Sequence, residues 1–260
     1  MNAFLAITKV TIRQTLRPKR AIGLGLLSVS AAVTYVLTAL GGAGSSGSLE
    51  YRHQQAFDVF LGITVGTFMN IVVPVVTLII ATSVLGDERR DNTMSFLVLR
   101  PIGRFTIGAA KVTAAFIESF AITGLGAVAL GIAAAFRIDT FAYVLPLVVG
   151  TAVASAAYSA VFVPFGYLLK RATLIGLTYV FIWENGIAGA IPALASLSPW
   201  RIGVSAMAGL APEKFLLELP EFAIGSIVPG AGGAVLKAVV MTVLSAAAVA
   251  WILRQRDLAT

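Results

Sequence analysis

Residues 59–86 read VFLGITVGTFMNIVVPVVTLIIATSVLG, a run of 28 residues without a charged side chain. The hydrocarbon core of a bilayer is about 30 Å thick, and a helix of about 20 apolar residues crosses it. Lipid cannot hydrogen-bond to the backbone, so a chain in that core must satisfy its own N–H and C=O groups. This run therefore predicts a membrane-spanning helix.

The composition of the whole chain agrees with that prediction. Of its 260 residues, 58% are hydrophobic and 12% charged, and the mean hydropathy is +0.92. Soluble domains carry about 25% charged residues. No stretch between the apolar runs is long and polar enough to form a separate aqueous core. We expect one transmembrane domain over residues 1–260.

Five further apolar runs complete an all-α integral membrane fold with six spans. The predicted spans cover residues 21–41, 59–86, 106–136, 140–169, 172–196 and 234–253. Before the last span, the apolar stretch 222–236 is interrupted by Pro229 and several glycines, which predicts a re-entrant element. The Gly/Ser tract 41–48 is typical of a flexible external linker.

The basic residues predict the orientation of these spans. Fourteen lysines and arginines flank the spans on one side and four on the other, with Lys237 inside the last run. Cytoplasmic loops carry the excess of Lys and Arg, so both termini should be cytoplasmic in a multi-pass protein of the plasma (inner) membrane. The charge is spread over loops without interleaved aromatic residues, which argues against a nucleic-acid partner.

The segment 1–20 before the first span is basic. Lys9, Arg13 and Arg17 follow one another at intervals of four residues and would form a stripe on a helix. The segment is predicted to form an interfacial helix on the inner membrane surface. The alternative is a basic flank without that role.

The loop between spans two and three changes character midway. Charged residues 87–91 precede the plausible helix caps Asn92 and Thr93, and the apolar run 94–99 then ends before Pro101. This pattern predicts a short cytoplasmic helix. Its large apolar side chains, which must bury against the bundle or a partner, are Phe96, Leu97 and Leu99.

This loop resembles the corresponding loop of ATP-binding-cassette type-2 (ABC-2) permeases. That family's pattern is roughly Glu, then Gly-Thr, Leu, Pro, Arg and a later Lys. The matching residues are Glu88, Thr93, Leu99, Pro101, Arg104 and Lys111. Asn92 stands where the family often has glycine, and asparagine tolerates the left-handed backbone better than most residues.

The resemblance implies a coupling helix that sits in a groove of a separate ATPase subunit. It also implies an interfacial helix before span one and a re-entrant element before span six. The implied partners are cytoplasmic ABC ATPase subunits, which would hold ATP and Mg²⁺, a second permease copy or homologue, and the lipid bilayer. The implied coupling residues are Glu88, Arg89, Thr93, Phe96, Leu97, Leu99, Pro101 and Arg104.

Enzymatic motifs are missing from the sequence. The nearest string to a phosphate-binding loop, residues 103–108, continues Ala-Ala where that motif needs Lys and Ser or Thr. The chain has one histidine, His53, and no cysteine, which leaves no zinc site and no serine-histidine triad. We expect a non-enzymatic subunit with no cofactor and no metal of its own.

Two acidic residues interrupt predicted spans. Glu118 follows Lys111 by seven residues on about the same helical face, and Glu184 directly precedes Asn185. Glu118, Glu184 and Asn185 are candidates for a translocation pathway because charges inside spans usually face a cavity or a partner. The favoured alternative is a set of polar contacts between helices. The donors available in span four are Ser155, Tyr158 and Ser159.

The stretch 196–233 is predicted to be external. Trp200 beside Arg201 suits an anchor at the level of the lipid headgroups. The resemblance implies an external gate in this region, and the alternative is a plain connecting loop.

The function expected from these observations is that of a permease subunit of an ABC exporter. It would form the translocation pathway and be driven by a separate ATPase. Two alternatives stay open. One is an ion-coupled secondary transporter that uses Glu118 and Glu184. The other is a membrane assembly subunit that transports nothing.

Overall fold

The computed structural model describes residues 3–41, 48–91, 102–187, 195–219 and 230–257, and within these ranges every regular element is helical. Two segments have π-helical hydrogen bonding, π1 (Gly62–Val72) and π2 (Tyr179–Ile187). The α-helices are α1 (Ala3–Thr15), α2 (Pro18–Gly41), α3 (Leu49–Leu61), α4 (Val73–Arg90), α5 (Arg104–Ile138), α6 (Val144–Leu168), α7 (Ala172–Thr178), α8 (Pro199–Ala208), α9 (Glu213–Leu217) and α10 (Ala231–Asp257).

Five described helical segments are long and apolar enough to cross a membrane. They are Pro18–Leu40, Leu49–Arg90, Arg104–Ile138, Val144–Leu168 and Ala231–Gln255. These correspond to predicted spans one, two, three, four and six. The predicted fifth span, 172–196, contains a shorter apolar helix, Ala172–Glu184, and residues 188–194 lie outside the described ranges. The sixth crossing therefore stays a prediction.

The second span is longer than the sequence predicted. α3, π1 and α4 form one continuous helix from Leu49 to Arg90, 42 residues instead of the predicted 59–86. At 1.5 Å per residue this helix is about 60 Å long, twice the thickness of the hydrocarbon core. Ser48 caps it by accepting a hydrogen bond from the backbone N–H of Tyr51 at 3.3 Å. Its polar first turns, which precede the predicted span, thus belong to the same helix.

The last span also begins earlier than predicted. Residues 231–233, which the sequence placed before that span, form the first turn of α10. The earlier part of the predicted re-entrant element, residues 222–229, lies outside the described ranges.

The boundary between α5 and α6 is set by Asp139. This residue adopts a left-handed conformation with φ of 58°, and its N–H donates to Ala135 O. That conformation ends helices, and aspartate accepts it better than most residues do.

α6 is packed against four other helices of the bundle, α4, α5, α8 and α10. Glycines allow these close approaches: a Cβ atom on Gly166 would lie 2.3 Å from Thr82 O, and one on Gly150 would lie 2.8 Å from Met207 Cβ. Backbones in direct contact gain dispersion energy that bulkier residues would prevent, as is common in membrane bundles.

The first and last spans carry the largest exposed apolar surfaces. In an apolar stretch of 18 residues, only 28% of the residues of α2 and 33% of those of α10 are buried, against 78% in the second span. Leu26 and Leu40 on α2 and Leu244 on α10 are more than half exposed. Continuous apolar surface of this size is unstable in water and stable in lipid. The exposed surface thus fits a membrane protein.

The helix ends group at two opposite ends of the bundle. Thr11 of α1 contacts Lys111 near the start of α5, and Gly108 of α5 lies against Ala246 in the second half of α10. We call this the basic end. At the opposite end, the Tyr35 hydroxyl of α2 donates to Ala56 O of α3 at 3.1 Å, and Phe57 packs on Tyr143.

The contact between α2 and α5 gives a test of this packing. A Cβ atom on Gly126 would lie 2.2 Å from Ser28 Oγ and 2.4 Å from Ser28 O, whereas one on Gly23 would meet no atom within 4 Å. We expect Gly126→Ala to lower the unfolding free energy by roughly 1–3 kcal/mol through overpacking. Gly23→Ala, the matched control, should leave stability unchanged or raise it slightly. Thermal unfolding in detergent measures both, and equal stabilities would contradict the α2–α5 contact.

Candidate functional site

The N-terminal helix α1 docks on the bundle through a stripe of threonines. Its buried face consists of Ile7, Thr8, Thr11 and Thr15, whose spacing places them on one side of a helix. Lys9 and Arg13 are exposed on the other side. The sequence had placed Arg17 on the same basic stripe, but α1 ends at Thr15 and therefore does not contain it. The helix is interrupted there because proline disfavours a helical residue before it, and Pro18 begins α2.

A buried lysine joins α1, α4 and α5. Lys111 of α5 is 1% exposed, and its Nζ donates to Thr11 Oγ1 at 2.9 Å and forms an ion pair with Glu88 Oε1. Glu88 lies in the last turn of α4. An ammonium group buried without partners would cost several kcal/mol, and here a carboxylate and a hydroxyl both bind it.

Glu118 lies two turns further along the same face of α5. It is 2% exposed, and its Oε1 accepts a hydrogen bond from the hydroxyl of Thr15 at 2.6 Å. Arg20 and Lys111 are near enough to stabilise its charge. The donor comes from α1 and not from span four, where the sequence had placed the candidates. We call Thr11, Thr15, Glu88, Lys111 and Glu118 the basic-end cluster.

A second buried polar group joins π2 to α8. The hydroxyl of Ser198 donates to Glu184 Oε2 in a short hydrogen bond and also accepts from the backbone N–H of Arg201 at 3.3 Å. Tyr158 of α6 faces the same carboxylate, and Arg201 attracts it electrostatically. Tyr158 was one of the donors that the sequence had proposed. We call Tyr158, Glu184, Ser198 and Arg201 the Glu184 cluster.

The prediction that Trp200 and Arg201 anchor at the lipid headgroups is wrong. Trp200 is 3% exposed and Arg201 4% exposed. α8 packs against α6, where Gly150 and Gly203 allow the two backbones to approach. Trp200 Nε1 donates to Val65 O of π1 at 3.3 Å. The stretch predicted to be an external loop thus contributes a helix to the interior.

The sequence of the chain matches a known protein family. The family model described as "ABC-2 family transporter protein" matches residues 18–184, more than half of the chain. The chain belongs to the ABC-2 transporter family. The match runs from α2 to Glu184 and includes the loop whose residues carry the resemblance. No curated protein matches the chain.

Three of the residues implied as ATPase-coupling in this ABC-2 protein are described. Glu88 belongs to the basic-end cluster, and Arg104 begins α5. Arg89 donates from Nη1 to Tyr167 O at 2.5 Å and lies 6.0 Å from the centre of the Tyr167 ring, so it joins the ends of α4 and α6. The remaining residues lie outside the described ranges: Thr93, Phe96, Leu97, Leu99 and Pro101.

The candidate translocation residues lie apart in the ABC-2 bundle. Glu118 contacts α1 at the basic end, whereas Glu184 contacts α8. The side chain of Asn185 lies outside what the structure describes. Each of the two carboxylates therefore belongs to a contact between helices, and their role in transport stays a prediction.

Sequence reasoning missed the threonine side of α1 and the role of Ser198. The signal for the first was present: Thr8, Thr11 and Thr15 recur at helical spacing opposite the basic stripe. A polar stripe on a helix flanking a membrane can bond to charges on the bundle. For Ser198, the cue was its position directly before Pro199, where a serine commonly caps a helix.

The basic-end cluster predicts a strong dependence of stability on Lys111. Lys111→Met leaves Glu88 in a largely buried place without its cation, and we expect a loss of roughly 3–5 kcal/mol of unfolding free energy. Adding Glu88→Gln should recover part of that loss. Thermal unfolding of the single and double variants in detergent measures the coupling. Strictly additive losses would show that the two residues do not interact.

The Glu184 cluster predicts a difference between two serine caps. Ser198 and Ser48 each cap a helix with a 3.3 Å hydrogen bond, but only Ser198 also bonds to a buried carboxylate. Ser48→Ala should cost about 1 kcal/mol, the usual value of a cap. Ser198→Ala should cost roughly 1–3 kcal/mol more, because Glu184 loses a donor. Equal shifts in unfolding temperature would remove the case for the Glu184 contact.

Proposed function

We propose that the chain is the permease subunit of an ABC exporter, forms the translocation pathway and is driven by a separate ATPase. The observation that carries this proposal is the family match over residues 18–184, which spans the helices on both sides of the motif loop. In ABC transporters ATP hydrolysis belongs to dedicated ATPase subunits. This chain, without a phosphate-binding loop, acts as the non-enzymatic partner, and ATP and Mg²⁺ bind to the ATPase.

The basic end is proposed to face the cytoplasm. The basic-end cluster, the basic flank of α2 and the start of α5 all lie there, which agrees with the excess of Lys and Arg on cytoplasmic loops. The ATPase subunits would bind at this end, and a second permease copy or homologue would complete the pathway. The plasma (inner) membrane is the proposed location.

Residues 92–101 are proposed to be the coupling segment. They connect α4, whose end carries Glu88 and Arg89, to α5, which begins at Arg104. Arg89 bonds to the end of α6, and Glu88 bonds to Lys111 of α5. Displacement of the segment by the ATPase would thus act on three spans together. This connection supports a mechanism in which nucleotide binding moves the spans between inward-open and outward-open states.

Docking of the ATPase gives the decisive test. We expect Phe96→Asp and Leu99→Asp each to abolish copurification of the ATPase, because burying an unpaired carboxylate in an apolar groove is costly. The matched control is Phe141→Asp, which should keep the ATPase. Phe141 is an exposed apolar residue between α5 and α6, toward the opposite end of the bundle.

The measurement is a mild-detergent pull-down of the tagged chain from its native host, followed by identification of the copurifying proteins and an ATPase assay. Membrane insertion of each variant is checked by carbonate extraction. Normal ATPase recovery with both coupling variants would refute the coupling role. Purification of the chain without any ATPase would favour the ion-coupled or assembly alternatives.

A further inference from the structure

A cavity of about 580 Å³ opens at the basic end, between the start of α2, the end of α4, the end of α6 and the start of α7. Its charged lining consists of Arg17, Arg20, Asp87, Arg89, Arg90 and Lys170. Cavities of this volume are typical of small-molecule sites and too small for the surface of a folded protein. The occupant should therefore be a small group.

The charge of this cavity is strongly positive. Five cationic side chains line it with one carboxylate, and that carboxylate, Asp87, already forms an ion pair with Arg90 at 2.6 Å. Arg17 and Lys170 form no ion pair within the described residues. Like charges held together in a cleft raise the local concentration of anions. An anion would relieve the repulsion between them.

The guanidinium of Arg20 has one bonded and one unbonded donor among the described residues. Its Nη2 donates to Ile79 O, and its Nε is buried without a hydrogen-bond partner among the described residues. A buried N–H of a guanidinium is costly to leave unsatisfied. Guanidinium groups match the oxygens of phosphate in a planar fork, which makes phosphate a fitting acceptor.

The position of the cavity identifies a source of phosphate. Its wall on α4 runs from Arg89 back to Ile79, ten residues or about 15 Å along the helix. It therefore reaches from the membrane surface toward the hydrocarbon region. On α6 and α7, which form the other wall, Leu168, Leu174 and Ile175 are largely exposed apolar side chains. A headgroup in the cavity could keep its acyl chains against these residues.

A neighbouring cavity of about 390 Å³ shows why the first one is selective. It shares Arg17 and Asp87 with the larger cavity, and its other charged lining residues are Arg13, Glu88 and Asp91. Its three carboxylates outnumber its two arginines, so it attracts an anion less than the larger cavity does. The two cavities thus divide the basic end into a positive cleft beside α7 and a mixed cleft beside α1.

We propose that the larger cavity binds the phosphate group of an anionic phospholipid from the membrane leaflet at the basic end. Arg17, Arg20 and Lys170 supply the charge, and Arg89, fixed on Tyr167, shapes the wall. Basic pockets between spans recognise lipid headgroups in this way. The inference requires the spans to lie in a membrane and does not depend on the ATPase.

The test is native mass spectrometry of the full-length protein in detergent, titrated with phosphatidylglycerol, with phosphatidylcholine and with inorganic phosphate. The cavity variant is Arg17→Gln with Lys170→Gln. Its control, Lys9→Gln with Lys19→Gln, removes two exposed charges from the same end that do not line the cavity. Gel filtration and circular dichroism confirm that both are folded, and each single substitution is tested as well.

We expect saturable binding of phosphatidylglycerol, weaker binding of the zwitterionic lipid, and an affinity roughly tenfold lower in the cavity variant only. Competition by inorganic phosphate at similar concentration would keep the phosphate site and make free phosphate its source. Equal lipid affinity in both double variants would overturn the proposal. Unchanged lipid binding together with loss of the ATPase in the cavity variant would also overturn it, and would assign these charges to a protein contact.

Discussion

The ion pair between Lys111 and Glu88 holds the basic end of the molecule together. It joins α4 to α5, and the hydroxyl of Thr11 adds α1 to the same ammonium group. The free energy cost of burying charges is offset only when partners surround them. The three helices therefore cannot shift relative to one another here without exposing an unpaired buried charge. Glu88 lies in the last turn of α4, shortly before the proposed coupling segment, so a contact that α1 completes fixes the end of the helix that leads to that segment.

A second constraint is the contact of backbones around α6. Gly150 and Gly203 allow α8 to pack closely on α6. Gly166 allows α4 to pack so closely on α6 that no side chain fits between the two backbones. Interfaces packed this closely move as rigid units between discrete arrangements and do not deform gradually. Motion in the bundle should accordingly shift α4, α6 and α8 together and not separate them at these glycine contacts.

The positions of the helices could be predicted from the sequence, because hydrophobicity determines them. The helix ends and the buried contacts between distant segments could not. Charge-free runs are long enough to locate helices, and the family that the residues of a single loop suggested was confirmed by the family match over residues 18–184. Helix ends were less predictable, because residues 49–58 are mostly polar yet form the first turns of the helix that contains the second span. The burial of Trp200 could not be foreseen from its neighbours, since its indole bonds to the backbone of Val65, 135 residues away on another helix.

The candidate site was predictable to the same extent. Glu118 and Glu184 were identified because charges are costly inside spans, and Tyr158, which faces Glu184, was among the side chains expected there. Thr15 was not, since its partner lies 103 residues away and no local pattern links the two. Spacing identifies which residues need partners, whereas the partners themselves follow from the tertiary fold.

The surroundings of the two buried carboxylates bear on how the protein is driven. A coupling ion must compete with the groups that already bind a carboxylate, and it is released when the protein changes state. Glu118 is bonded to α1 and lies near Lys111 and Arg20, while Glu184 is bonded to Ser198 and lies near Arg201. Each carboxylate thus has a hydroxyl partner on another element and a protein cation in its surroundings. Both therefore hold elements in place, α1 for Glu118 and α8 for Glu184, and an ion that used either carboxylate would have to displace that contact.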